Sequence, residues 1–218
     1  MEVSKFNRYF TYLTVGMCLM DSKDKILQVA FNLFLQKGYR DVSLSEIVQQ
    51  VGLTKGAFYH YFRGKDQLFL EVVDYYFLSL SDYIYDRVPK DHLKTFMFTY
   101  LKMLTEQIDR ISEEAMKQGN TVSLSYYYLA FDALRIIPDF GKKIREVYLR
   151  EENAWIEVIE NSKKSGEIIS AIDSKQLAKL FISANDGLGM HVILENRLEE
   201  LSQEIISVWT SLYQLIKA

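Results

Sequence analysis

The sequence predicts an all-α chain in two parts, three short helices at the front and a bundle of longer ones behind. Three observations carry this. Two prolines and ten glycines among 218 residues leave long stretches free to run as helix. Apolar residues recur at i, i+3, i+4 and i+7 along most of the chain. Capping residues stand in front of several of those runs: Asp21 or Ser22, Ser43, Thr54 and Asp173.

The first helix opens at Asp21 or Ser22 and carries the stripe Ile26, Val29, Ala30, Leu33 and Phe34. Lys37 suits the negative end of its dipole, and Gly38 supplies the stop. A second, short helix starts at Ser43, with Glu46 at the capping-box position and Leu44, Ile47, Val48 and Val51 on one face. Gly52 breaks it. Thr54 then caps a third helix, Lys55 to Phe62, in which Ala57 permits close helix approach and Phe58 and Phe62 share a face. Two short helices about a glycine-containing turn make a helix-turn-helix, whose second helix enters the major groove of DNA. That geometry places Lys55, Gly56, Tyr59 and His60 at the exposed start and middle of the reading helix. Lys55 can donate to guanine O6 and N7, and Gly56 lets the backbone approach the groove. Ser43 and Ser45 lie at the start of the preceding helix, where free N–H groups suit a phosphate. The plainer reading is that Ser43 and Thr54 only cap and Tyr59 only packs.

The run Val51-Gly52-Leu53-Thr54-Lys55-Gly56-Ala57-Phe58-Tyr59-His60-Tyr61-Phe62 is followed by Gly64-Lys65-Asp66-Gln67-Leu68. It is preceded by Gln36-Lys37-Gly38-Tyr39 and Val42-Ser43-Leu44-Ser45-Glu46-Ile47. Together these resemble the DNA-binding domain of the TetR (tetracycline-repressor) family of bacterial transcription regulators, over residues 22–70. The resemblance implies that Thr54, Tyr59, His60 and Lys65 meet phosphates or base edges. It implies a helix-turn-helix domain over 21–66 and a helical-bundle domain for effector binding and dimerisation over 67–218. It also implies a homodimer on a palindromic operator of double-stranded DNA, acting as a repressor that a small molecule releases.

Behind the head, a long helix is expected from Gly64 to Tyr85, linking the two parts until Val88-Pro89 stops it. Lys90 to Ile111 follows, with Leu93, Phe96, Met97, Tyr100, Leu101 and Leu104 on its stripe, and Glu113 to Asn120 reads as a loop. An aromatic helix spans Ser123 to Ile137, and Pro138 opens another that runs to Lys164 and ends at Gly166. Asp173, with Gln176 at the capping-box position, starts a helix to Glu195, and the last runs from Leu198 to Ile216. Its stripe Leu201, Ile205, Val208, Leu212, Leu215 has the a/d period, so Leu188, Leu201, Ile205 and Leu212 are candidates for a twin-subunit surface.

Composition narrows the function classes. Net charge is −3, but residues 1–70 carry nine basic against six acidic side chains, and the remainder 17 against 23. A mildly basic head on an acidic body fits a DNA reader with a second, non-reading part. A single cysteine, Cys18, excludes a disulfide framework within the chain and fits the cytoplasm. No apolar run reaches the ~18 residues of a membrane span. Residues 1–20 hold an uncharged run from Tyr9 to Met20 behind Lys5 and Arg8. The favoured reading is an extension left by a gene start set too far upstream, with Met20 or Met17 the initiator; an added arm and an export signal are the alternatives.

No catalytic constellation, cofactor motif or metal set stands out. Only three histidines occur, and His92 and His191 read as structural. Gly187-Leu188-Gly189 lacks the strand and spacing of a phosphate loop. The doublets Glu113-Glu114, Glu151-Glu152 and Glu199-Glu200 read as solvated faces. Tyr100, Tyr127, Phe131, Tyr148 and Trp155 read first as core and second as the lining of an effector cavity. On an acidic, aromatic body that effector would be flat and apolar, or cationic. The alternative is a helix-turn-helix structural protein or activator with no small-molecule effector.

Overall fold

The computed structural model describes residues 21–78, 84–116 and 124–218. The expectations for residues 1–20 lie outside them. The chain divides into two compact units, residues 1–72 and 73–218. Among the described residues every element longer than a turn is helical, and the fold is all-α.

The first unit begins with α1, Ser22–Asp41, capped by the Asp21 side chain on the N–H of Lys23. Gly38 interrupts it at φ 75°, ψ 162°, a backbone setting that only glycine adopts without strain. Then come α2, Leu44–Val51, α3, Lys55–Tyr61, and α4, Lys65–Val73. Ile26, Phe31, Phe34, Ile47, Phe58, Phe62, Leu68 and Phe69 are all but fully buried. The Phe34 ring meets the edge of Phe69 at 5.2 Å, and Phe58 lies 5.6 Å from Phe62. The stripes expected on the first three helices are the ones that pack.

The second unit opens on a π-helical turn, Asp74–Leu78, that continues directly from α4. A single α-helix was expected through this stretch; the wider turn replaces it. Four helical residues, 84–87, precede α5, Leu93–Met116, which runs past Ile111 into the segment expected to be loop. Next are α6, Leu124–Ile136, and α7, Phe140–Ser165. Pro138 does not open α7. It sits in the turn before it, and Asp139 at φ 61° precedes the first helical residue. Helix α8, Ser174–Leu194, is capped by Asp173 on the N–H groups of Lys175 and Gln176. A 3-10 turn, Leu198–Glu200, leads into α9, Leu201–Ile216.

The second core is built on Trp155. Its ring stacks on Phe181 at 5.1 Å and meets Phe96 at 4.8 Å and Trp209 at 4.9 Å edge-on. Trp209 donates its indole N–H to the Phe181 carbonyl at 2.9 Å, which ties α9 to α8. Among the described residues no helix is long and apolar enough to cross a membrane, and no group of His, Cys, Asp or Glu could hold a metal ion.

Candidate nucleic-acid interface

Caps set the geometry of the head. Ser43 Oγ accepts the N–H of Glu46 at 3.1 Å and fixes the start of α2. The reciprocal arm of the capping box is not used: the Glu46 carboxylate turns to the Lys37 ammonium, whose hydrogen bond holds it below the usual carboxylate range. Gly52 closes α2 in the left-handed region, φ 78°, with its N–H on the Gln49 and Val48 carbonyls. An L residue there would be strained by the positive φ alone, although its Cβ would meet nothing within 4 Å. Thr54 Oγ1 then accepts the N–H of Ala57 at 3.2 Å and starts α3.

With Phe58 buried inward, α3 presents Thr54, Lys55, Gly56, Tyr59 and His60 outward, all exposed. Tyr59 does not pack away; about half of it faces solvent. Lys55 forms no ion pair with the described residues. Gly56 is informative. A Cβ there would meet only Thr54 Oγ1, at 3.9 Å, so the chain's own packing does not require glycine. Glycine at an exposed helix position costs ~1 kcal/mol relative to alanine. What it offers in return is room for an outside body to come close to the backbone. Ser43 and Ser45 are exposed at the start of α2, and Arg63, which the sequence reading passed over, is exposed just beyond α3.

Lys65 is placed differently from the rest. Its Nζ donates to the carbonyls of Tyr39 and Val42, each at 2.8 Å, and lies 4.2 Å from the centre of the Tyr39 ring. Tyr39 in turn donates its hydroxyl to Asp66. Two of the ammonium's three N–H donors therefore pin the corner that leads into α2. Lys65→Met should lower the stability of the head by roughly 2 kcal/mol, since two charge-assisted hydrogen bonds are lost. Amide exchange at Ser43 to Ile47 should speed up accordingly. Unchanged exchange there would mean that Lys65 does not hold the corner.

The residues expected to line an effector cavity lie in different surroundings. Tyr100 and Trp155 are buried in the aromatic core, while Phe131 and Tyr148 are more than half exposed. Tyr148 and Trp155 share one face of α7, seven residues apart, but Trp155 lies in the core while Tyr148, two turns nearer the start of the helix, stands in the wall of an open cleft. A cleft of about 470 Å³ does open between α7 and α8, lined by Ile144, Arg145, Tyr148, Glu152, Ile182 and Asp186, among others. Beside it lies a group the sequence reading assigned to solvent. Glu151 is only 5% exposed, and its Oε1 accepts the Tyr100 hydroxyl at 3.3 Å. Burial foremost, and then the charge of Asp186, push its pKa up from 4.5 to about 7, against hydrogen bonds from Tyr85 and Tyr100. A signal was available: Glu151, Trp155, Val158 and Ser162 are spaced 4, 3 and 4 apart, so Glu151 occupies a core position of the stripe.

The twin-surface candidates also shift. Leu201 and Ile205 face this chain's own core, and Leu188 and Leu212 pack partly against it. The stripe on α9 drifts to Trp209 and Ile216 because 3.6 residues per turn, not 3.5, governs a helix packed on its own chain. On these two helices the exposed leucines are instead Leu180 and Leu194 on α8 and Leu215 on α9.

The family model of bacterial regulatory proteins of the tetR family matches residues 26–72, the helices just described. Residues 26–72 of this chain are a TetR-family DNA-binding domain. Among curated relatives, this chain is 29% identical to the uncharacterized HTH-type transcriptional regulator YuxN of Bacillus subtilis (strain 168). That match runs over 132 residues, 60% of this chain and 43% of YuxN. It is 44% identical to the HTH-type transcriptional regulator QacR of Staphylococcus aureus over 55 residues, 25% of this chain and 29% of QacR. The matched stretches thus span less than half the length of these relatives. The fold is shared with SmeT, the repressor of the Stenotrophomonas maltophilia multidrug efflux pump SmeDEF. There the TM-score is 0.63 at 15% identity over 90% of each chain, and SmeT has also been solved with triclosan.

Proposed function

We propose that this TetR-family chain is a sequence-specific transcriptional repressor that binds a palindromic operator as a homodimer in the cytoplasm and leaves it when a small molecule binds the body. Residues 21–66 read DNA, and residues 67–218 sense and dimerise. The observation that carries this is the outward row Thr54, Lys55, Gly56, Tyr59 and His60 on α3, inside the stretch that matches the family. Ser43 and Ser45 meet phosphate at the start of α2, and the third donor of Lys65 is available to another. The cleft in the body supports the sensor part, since its size suits a small ligand. SmeT with triclosan is an example of the same fold holding one.

DNA selection with the purified protein tests the reading directly. It should return an inverted repeat whose halves lie about one helical turn, ~34–36 Å, or a multiple apart. Lys55→Ala should relax base choice at one position in each half. Selection of an asymmetric site, or of none, would overturn the proposal.

Dimerisation is assigned to α8 and α9 through the leucines left uncovered. Leu180→Glu combined with Leu215→Glu should give a folded monomer that loses specific DNA binding, read by sedimentation and by fluorescence anisotropy. A double variant that stays dimeric would place the interface elsewhere.

A further inference from the structure

Two loops of the head are joined by one ammonium. Lys65 Nζ donates to the carbonyls of Tyr39 and Val42, which stand on either side of Arg40 in the chain. Val42 is buried, and the Tyr39 ring packs 4.4 Å from Phe69 on α4, with its hydroxyl on Asp66. The corner between α1 and α2 is therefore fastened to the start of α4. Arg63 lies two residues before Lys65, and its backbone N–H is held by Gln67 Oε1 at 2.8 Å. Arg40 and Arg63 thus stand on adjoining loops whose backbones are both fixed.

The fold uses neither guanidinium. Both arginines are exposed, and among the described residues neither forms an ion pair. The carboxylates of this region are engaged elsewhere: Glu46 by Lys37, Glu71 by Lys23 at 2.6 Å, and Asp66 by the Tyr39 hydroxyl. Asp41, exposed next to Arg40, pairs with neither arginine. Like charges on adjoining loops repel, so folding gains nothing from this pair. Their position gives them a use. Arg40 precedes Ser43 and Ser45 at the exposed start of α2, and Arg63 follows His60 at the end of the outward row on α3. Lys65, between them, has two of its three N–H donors committed to carbonyls.

We propose that Arg40 and Arg63 form a clamp on the DNA backbone, gripping phosphates beside the bases that α3 reads, while Lys65 holds the two loops in place. This rests on the DNA-reading proposal above and adds contacts to it. A guanidinium offers parallel N–H donors to two phosphate oxygens, so each arginine both attracts and orients its phosphate. Such contacts carry no base information; they set the register in which α3 meets the groove. Each also releases condensed counterions, so the clamp makes binding steeper in salt.

The test uses the full chain and two duplexes of equal length, the one returned by selection and a shuffled one of the same composition. Affinity is read by fluorescence anisotropy over a range of salt concentrations. Arg40→Gln and Arg63→Gln should each weaken binding to both duplexes by the same factor, roughly tenfold. Each should flatten the fall of log affinity with log salt by about 1 for every copy of the chain bound. The ratio of the two affinities should stay that of the wild type. Arg63→Lys should keep the wild-type slope and only part of the affinity, because the charge remains without the bidentate geometry. Neutral methylphosphonates placed one at a time in the selected duplex should reveal linkages whose loss weakens the wild type but not the double variant. Denaturant midpoints should not change, since neither side chain has a partner in the fold. The clamp is overturned if both single variants keep the wild-type slope, if they alter the ratio and not the slope, or if every linkage affects the double variant as it does the wild type. A wild type that binds both duplexes equally well overturns sequence-specific reading alone, and the slopes on either duplex still decide the clamp. A wild type that binds neither overturns both.

Discussion

Glu167→Ala should cost the second unit about 3 kcal/mol of unfolding free energy. Glu167 lies just after α7, yet it caps α5, more than seventy residues earlier in the chain. One oxygen accepts the N–H of Leu93 at 2.9 Å; the other accepts the N–H of Lys94 at 2.9 Å and the Tyr213 hydroxyl at 3.2 Å. Its backbone carbonyl also accepts the N–H of Ala218 at 3.0 Å. The carboxylate therefore ties the start of α5 to the end of α9 at the positive pole of the α5 dipole. Removing it leaves the Lys94 N–H without its cap, while Leu93 keeps Ser162 Oγ at 2.7 Å. Loss of a charge-assisted cap and a phenol bond accounts for the size of the effect. Burial pushes this carboxyl up, but the N–H of Lys94, Ser162, the N–H of Leu93 and Tyr213 outweigh it and hold it below its ordinary value. Its contribution is thus present above the ordinary carboxylate range and lost as pH falls through the lowered value. Denaturant unfolding followed by tryptophan emission reads this unit alone, since both tryptophans, Trp155 and Trp209, lie in it. A midpoint unchanged by the substitution would show that the cap contributes nothing.

The ligand-free second unit should lose roughly 3 kcal/mol as pH rises from about 4.5 to above 7, and Glu151→Gln should remove most of that loss. The sign follows from the direction of the shift. Burial raises the folded carboxyl from 4.5 to about 7, so between those values the folded state holds a proton that the unfolded state has released. Stability is full below about 4.5, falls through that window, and levels off above it, at ~1.4 kcal/mol per unit of pH. The slope is opposite to that of Glu167. Two glutamates sixteen positions apart therefore act at opposite ends of the pH range, one favouring ionisation by donors, the other opposing it by burial. Unfolding series at several pH values on the wild type and on Glu151→Gln check this. A wild type equally stable at about pH 5 and pH 8 would mean that Glu151 is not held protonated by the fold.

Much of the head was legible because its signals are local. Ser43, Gly52 and Thr54 act on N–H and C=O groups within a few residues of themselves, so their caps and stops follow from chain order. The exposure of Lys55, Gly56, Tyr59 and His60 follows from the same register, once Phe58 and Phe62 are taken as the buried face. Lys65 departs from this pattern. Its partners, the Tyr39 and Val42 carbonyls, are more than twenty residues away, and no local rule points to them.

In the body, the sequence by itself determined that the chain is helical, where most helices begin, and which stripe of each is apolar. Those are properties of a helix and its caps. The tertiary structure alone decided which stripe faces which neighbour, and function rests on that. It put Leu201 and Ile205 into this chain's own core and left Leu180, Leu194 and Leu215 uncovered. It sent Glu167 to the far end of α5 and enclosed Glu151 among Tyr85, Tyr100 and Asp186. A glutamate's burial and its partners depend on helices distant in sequence, and the energy that sets its charge is a sum over those neighbours, not a property of the residue.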